Sequence, residues 1–240
     1  MEPLSRNFSV IVSRSHYFTT DTLLLASFSL PKAGETCADF GTGCGAIPLI
    51  WCARANPRKI YALELQKEAC SQARRSAELN DLRETIEVLG LDIRTLPSEK
   101  PRFLQGLDLV ACNPPYKASG SGIKNSGDAL RIARHECECT LSDIARAAAS
   151  ALRFGGRFCL CQRPERLCDV LEAMRANGLE PKRLRFVQQR IGKEPSLFLV
   201  QGMRGGKPGL RVEPPLFIED AGGYSQEMLE IYGDYREGAV

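Results

Sequence analysis

The chain has 240 residues, 43% of them hydrophobic and 25% charged, the balance of a folded globule and not of a disordered chain. No run of 18 apolar residues occurs, and Met1-Glu2-Pro3-Leu4-Ser5-Arg6 lacks the basic start and apolar stretch of a secretory signal, so the expectation is a cytoplasmic protein with no membrane span. The formal charge of +3 hides an asymmetry: Glu213 to Val240 carries seven acidic residues and one basic, a net of −6, which leaves the first 212 residues at +9, a body suited to a polyanion partner.

In chain order, Thr36 to Phe40 is a strand ending in glycines, and Ala46 to Ala55 is a buried helix with Pro48 in its first turn, where proline is tolerated. Lys59 to Glu64 is a second strand. Gln66 to Asn80 reads as a helix, with an apolar stripe given by Leu65, Ala69, Ala73, Ala77 and Leu79. Thr85 to Leu89 and Leu107 to Cys112 are strands three and four. Leu141 to Leu152 is an alanine-rich helix stopped by Gly155-Gly156, and Arg157 to Cys161 is strand five. Pro164 to Asn177 opens with proline and closes at Gly178, as helix ends do. Arg183 to Gln188 and Ser196 to Met203 follow with too short a link for a parallel crossover, so they form an antiparallel hairpin. The rhythm predicts an α/β, Rossmann-like fold with a mostly parallel seven-stranded sheet, helices on both faces and a C-terminal antiparallel hairpin, a layout that resembles the class I methyltransferase fold. Three regions are expected: an N-terminal covering segment over 1–35, the methyltransferase domain over 36–204, and an acidic extension over 205–240 packed on it.

The glycine loop Asp39-Phe40-Gly41-Thr42-Gly43-Cys44-Gly45 joins strand one to helix one, where glycines let a backbone approach a ligand closely. Its Gly-x-Gly-x-Gly spacing lacks the dinucleotide pattern's later third glycine, which disfavours NAD. Glu64 ends strand two, where a carboxylate accepts both ribose hydroxyls, and Asp92 follows strand three, placed to bind an exocyclic amine. Together they resemble the way class I methyltransferases hold S-adenosyl-L-methionine, which is the cofactor that resemblance implies. A plain turn and two solvated strand ends are the bland alternative for each feature alone.

Strand four ends in Asn113-Pro114-Pro115-Tyr116. This tetrapeptide suits methylation of a nitrogen conjugated into a π-system. The Asn113 side-chain oxygen and the Pro114 carbonyl each accept one N–H of the amine, favouring a pyramidal nitrogen with its lone pair freed. Pro114 and Pro115 stiffen the turn, and Tyr116 offers a stacking face. The bland alternative is a rigid surface turn.

The tetrapeptide resembles the motif shared by DNA and RNA adenine-N6 methyltransferases and release-factor glutamine methyltransferases. From about residue 16 to 232 the chain resembles one branch, the bacterial valine-tRNA adenine-N6 methyltransferase family. The resemblance is carried by Thr20 to Leu25, Asp39 to Gly45, Glu64-Leu65-Gln66, Asn113 to Tyr116, Ala133-Arg134-His135-Glu136, Arg163-Pro164-Glu165-Arg166-Leu167 and Gly223-Tyr224-Ser225. It implies an adenine-N6 methyltransferase acting on tRNA beside the anticodon. Its cofactor residues fall on Asp39, Gly41, Glu64 and Asp92, and its amino-acceptor residues on Asn113, Pro114 and Tyr116. Phe40 stands where leucine is usual, a conservative departure. Gly43, Gly45, Leu65 and Asn113 complete the expected cofactor set.

For the RNA, Lys117, Lys124, Arg131 and Arg134 follow the tetrapeptide against one acid, Asp128, and Lys182, Arg183, Arg185, Arg190 and Lys193 add a second basic stretch. Such groups supply phosphate affinity, or are simply a solvated face. Tyr17 and Phe18 offer rings for the cofactor or a flipped base. The expected substrate contacts are therefore Tyr17, Phe18, Lys117, Lys124 and Arg134. The ten cysteines form no Cys-x-x-Cys pair and read as reduced packing residues. His135, Cys137 and Cys139 lack a fourth ligand, so no metal is expected. A monomer is expected. Three alternatives stay in view. A protein glutamine methyltransferase usually has a helical domain before its glycine loop, and 38 residues precede Asp39. A DNA or ribosomal RNA methyltransferase is another, although a DNA enzyme typically adds a target-recognition domain. A non-catalytic cofactor- or RNA-binding module is a third.

Overall fold

The computed structural model describes residues 1–5, 7–115 and 139–233. Seven long strands form the body of one sheet: β1 (Thr36–Phe40), β2 (Lys59–Leu63), β3 (Ile86–Leu89), β4 (Leu107–Cys112), β5 (Leu152–Gln162), β6 (Leu179–Gln188) and β7 (Pro195–Arg204). Their spatial order is β6-β7-β5-β4-β1-β2-β3. β7 is antiparallel to both of its neighbours, while β5, β4, β1, β2 and β3 run parallel. The chain therefore starts in the middle of the sheet, builds outward to β3, then returns to β4 on the other side of β1. The strand order reverses between β1 and β4, and ligands of open α/β sheets bind outside the strand ends at such a point.

Helices cover both faces. α1 (Thr20–Phe28), α2 (Ala46–Ala55) and α3 (Lys67–Leu79) pack on one side; α4 (Leu141–Ala151) and α5 (Leu167–Ala176) pack on the other. Each core follows from residue spacing. In α3 the buried residues Ala69, Cys70, Ala73, Ser76 and Ala77 recur every three or four positions, one stripe of a helix. α2 is buried over Ala46 to Trp51 because α1 covers its other side, and the Trp51 indole donates to the Ala26 carbonyl at 3.3 Å. A last helix, α6 (Gln226–Tyr232), rests on α1 through Thr20 and Tyr232, whose hydroxyls lie 3.2 Å apart.

Two expectations are corrected. Among the described residues the sheet has nine strands, not seven, because Arg211–Val212 and Leu216–Phe217 both pair with the outer edge of β6. An exposed strand edge carries unpaired N–H and C=O groups, and these two short segments satisfy part of that edge. The second concerns strand five, which begins at Leu152, directly after α4, and not at Arg157. Leu152 pairs with Leu107 and Arg157 with Leu109, so residues 153–156 bulge out of the ladder. Gly156 sits there because a Cβ would lie 2.9 Å from the carbonyl oxygens of both Arg153 and Leu107. The glycines shape a bulge inside the strand; the helix has already ended at Ala151.

Among the described residues, no helix is long and apolar enough to cross a membrane.

Candidate active site

The C-terminal ends of β1, β2 and β4 and the turn after β3 open into one cleft of about 1140 Å³, ample for a nucleotide-sized ligand. It is lined by Phe40, Gly41, Glu64, Leu65, Leu91, Asp92 and Ile93 at the ends of β1, β2 and β3, by Thr140, Leu141 and Ile144 at the start of α4, which packs against residues 93–95, and by Gln162 and Arg166 at and after the end of β5. Asn113, Pro114 and Pro115 emerge from β4, between β1 and β5.

The glycine loop holds its shape through positive φ at Gly41, Gly43 and Gly45 (72°, 56° and 85°), a region that glycine adopts freely. Gly45 also packs against α3: a Cβ there would meet that of Ala73 at 3.4 Å. Glu64 fastens the loop to β2. Its Oε2 accepts the Gly43 N–H at 3.0 Å and its Oε1 the Gln66 N–H at 2.9 Å. A carboxylate offers about four acceptor sites, so each oxygen keeps one for a ligand hydroxyl.

Asp39 is buried beneath this loop. Burial pushes its pKa up to about 7; the nearby Thr42 hydroxyl opposes this and the Glu64 charge adds to it. Among the described residues, Asp39 Oδ2 and Thr42 Oγ1 find no hydrogen-bond partner. Unpaired buried polar atoms are costly, and two of them beside a glycine turn mark where a polar ligand group or an ordered water completes the structure.

Asp92 is spoken for. Arg94 donates to it from its backbone N–H and through Nε and Nη2, at 2.6 to 3.0 Å. The Arg94 guanidinium holds the Asp92 carboxyl below the usual carboxylate range. Asp92 lines the cleft as expected, yet to accept a ligand amine it must share with Arg94.

The expected residues separate accordingly. Gly41, Glu64, Leu65, Asp92, Asn113, Pro114 and Pro115 line the cleft. Asp39, Gly43 and Gly45 stand behind the wall and shape it. Tyr17 and Phe18 are not in the lining: Tyr17 is exposed and Phe18 is buried in the core of the α1–α2 face. Tyr116, Lys117, Lys124 and Arg134 lie outside the described residues, as do Asp128, Arg131, His135 and Cys137. Among the described residues no three His, Cys, Asp or Glu side chains are grouped to hold a metal.

Sequence reasoning missed Arg94, Thr140, Leu141, Ile144 and Gln162 in the lining. For Gln162 a signal was available, because it directly follows an apolar strand, the position of Glu64 and Asn113 on theirs. The second basic stretch proved divided. Arg183 pairs with Glu213 at 2.7 Å, and Arg185 pairs with Glu227, so the acidic C-terminal segment neutralises β6 from outside. Arg190 and Lys193 instead stand at the β6–β7 turn, at the same end of the sheet as Gln162 and Asn113. The buried cysteines act as packing: burial pushes the thiols of Cys44 and Cys159 up to about 11 and 12, which leaves them protonated and unreactive.

Residues 11–173 match the family described as methyltransferase small domain. The chain belongs to that family. Two relatives span nearly the whole chain. The tRNA1(Val) (adenine(37)-N6)-methyltransferase of Tolumonas auensis is 29% identical over 90% of this chain and 88% of its own. The protein of the same name from Photorhabdus laumondii is 28% identical over 90% and 86%. In fold, this methyltransferase-family chain is similar to a predicted O-methyltransferase from Agrobacterium tumefaciens, at a TM-score of 0.70 and 23% identity over 90% of this chain and 96% of that one. It is also similar to TrmN from Thermus thermophilus, at 0.52 and 24% over 76% of this chain and 48% of that one.

Proposed function

We propose that the protein transfers a methyl group from S-adenosyl-L-methionine to the exocyclic N6 amine of an adenine in tRNA, next to the anticodon. The carrying observation is that Asn113-Pro114-Pro115, which follows β4, lines the same cleft as Gly41, Glu64 and Asp92; in this reading the β1–β3 side is the donor half and the β4–β5 side the acceptor half. The names of the two relatives support the choice of adenine and of tRNA.

The donor half fits the cofactor by its own chemistry. Glu64 keeps two acceptor sites for ribose hydroxyls, Gly41 lets the backbone approach closely, and Leu65, Leu91 and Ile93 offer an apolar wall for a flat ring. When bound, the cofactor supplies an electrophilic methyl on a sulfonium. Asn113 Oδ1 and the Pro114 carbonyl accept the two N–H groups of the target amine and orient its lone pair into the donor half. Positioning of this kind accounts for much of such a rate enhancement. The carboxylates in the described lining, Glu64 and Asp92, both belong to the donor half, so the acceptor half works by orientation more than by a strong base.

RNA affinity comes from the +9 body, with Arg190, Lys193 and the basic residues Lys117, Lys124 and Arg134 as phosphate contacts. A base in a tRNA loop leaves its stack at little cost and reaches Asn113. The protein acts as a monomer without a metal.

The test is incubation with labelled S-adenosyl-L-methionine and, separately, total tRNA, ribosomal RNA, duplex DNA and a release factor, followed by digestion of the product. N6-methyladenosine from tRNA is expected. Label confined to protein would overturn the reading.

A further inference from the structure

Gln162 ends β5 and lies in the wall of the acceptor half. It is 1% exposed, an unusual site for a primary amide unless its hydrogen bonds are met. One is met: Oε1 accepts the Arg163 backbone N–H at 2.9 Å. That bond fixes which way the amide faces. The oxygen turns to the backbone, so the NH2 group turns away from it. Among the described residues Nε2 donates to none, and the side chain borders the cleft. Two donors are thus held at the cleft wall by a fixed acceptor on the same amide.

The sheet order says which ligand they face. Glu64 and Asp92 follow β2 and β3, on one side of β4; Gln162 follows β5, on the other. β4 and β5 are adjacent, with Cys112 opposite Leu160, so the register sets Gln162 level with Pro114, one residue past Asn113, across an inter-strand spacing of about 5 Å. Gln162 therefore faces the acceptor and not the cofactor.

We propose that Gln162 is a specificity-determining residue that reads the acceptor base by donating Nε2–H to the ring nitrogen beside the reacting amine. The inference rests on adenine being the acceptor. In adenine the amine is flanked by N1 and N7, both acceptors. Asn113 Oδ1 and the Pro114 carbonyl take the amine's hydrogens, and a donor alongside them completes an acceptor-then-donor pattern. Guanine puts a carbonyl acceptor where the amine should be, which mismatches Asn113 and Pro114, and its N1 carries a hydrogen, which mismatches Gln162 as well where N1 is the nitrogen read; N7 is an acceptor in both bases. A site built to hydrogen-bond a group rejects analogues lacking it because its own buried polar atoms are then left unpaired.

The test uses the full chain with a valine-tRNA anticodon stem-loop carrying adenosine, 1-deazaadenosine or 7-deazaadenosine at the position 3′ of the anticodon. Gln162→Ala is expected to lower kcat/KM on adenosine tenfold or more, with cofactor affinity by calorimetry unchanged. One deaza analogue is expected to cost the native protein a similar factor and the variant almost nothing further. That loss of additivity belongs to one ring atom, and a general disturbance of packing would not produce it. Gln162→Glu, isosteric but without the donor, is expected to behave as the alanine variant does. Unchanged turnover by the variants, or full additive penalties at both ring positions, overturns the role of Gln162. Native protein that fails on the adenosine stem-loop overturns instead the adenine reading beneath it.

Discussion

Glu64 Oε2 accepts the Gly43 N–H at 3.0 Å, so the carboxylate ending β2 also fastens the glycine loop that follows β1. In the function proposed, one residue thereby both shapes the donor half and contacts its ligand. Glu64→Ala is expected to weaken cofactor binding by one to two orders of magnitude, the scale of removing hydrogen bonds from a charged acceptor. Glu64→Gln keeps one acceptor oxygen and is expected to fall between. Calorimetric titration with S-adenosyl-L-methionine measures both, and native affinity in Glu64→Ala would remove the residue from the site.

Asn113 lies at the divide between the two halves, and its assigned work concerns the acceptor. Asn113→Ala is expected to retain cofactor affinity within a few-fold while single-turnover methyl transfer falls by about a hundredfold or more, the range seen when one pre-organised polar group is removed from a reacting centre. Parallel binding and single-turnover measurements separate the two effects. Native transfer by the variant would reassign the amine's partner.

Asp39 makes stability depend on pH in a definite direction. Its carboxyl titrates near 7 in the folded protein because burial disfavours the charge, and near 4 when unfolded. Below about 4 both states hold the proton. Between about 4 and 7 only the folded state does, so acidity favours folding; above about 7 neither does, and the buried charge weighs fully on the native state. Stability contributed by this group is therefore lost as pH rises from 5 to 8, by about 2 kcal/mol. Asp39→Asn is expected to flatten that part of the profile. Urea unfolding of native and variant protein at both pH values decides, and identical profiles would refute a raised pKa.

The parallel half of the fold was legible because its signals are local. β1, β2 and β4 are short apolar runs, each closed by the polar residue or glycine that then faces the cleft, and the observed bounds of β1 and β4 coincide with those read from sequence. Leu152 to Gly156 misled because a glycine pair after an alanine-rich helix looks like a stop. Its purpose is visible only against the Leu107 carbonyl, which lies 49 residues before Gly156 in the chain. In the site, Gly41, Glu64 and Asn113 announced themselves by residue type at strand ends. The Asp92–Arg94 pairing did not, since an arginine two residues away reads as a solvated charge until both side chains are placed. Arg183 and Arg185 looked like phosphate contacts because their partners, Glu213 and Glu227, come 30 and 42 residues later.

Arg183 is the firmer of those two clasps between β6 and the acidic segment. Its guanidinium meets Glu213 at 2.7 Å and lies 4.5 Å from the centre of the Phe28 ring. The same guanidinium holds the Glu213 carboxyl below its ordinary range. A depressed carboxylate contributes stability above its unfolded pKa and loses it as pH falls through the folded value. Arg183 is only partly buried, so solvent screens the pair, and the coupling expected from a double-mutant cycle of Arg183→Ala and Glu213→Ala is about 1 kcal/mol at pH 7. It should shrink in 1 M salt and fade as pH drops through the folded value of Glu213. Arg183→Ala alone should cost more than the coupling, because it also gives up the Phe28 contact. Thermal unfolding of the four proteins at pH 7, at a series of lower pH values and in 1 M salt gives all of these values. A coupling insensitive to both pH and salt would show that packing, not charge, joins the acidic segment to the sheet.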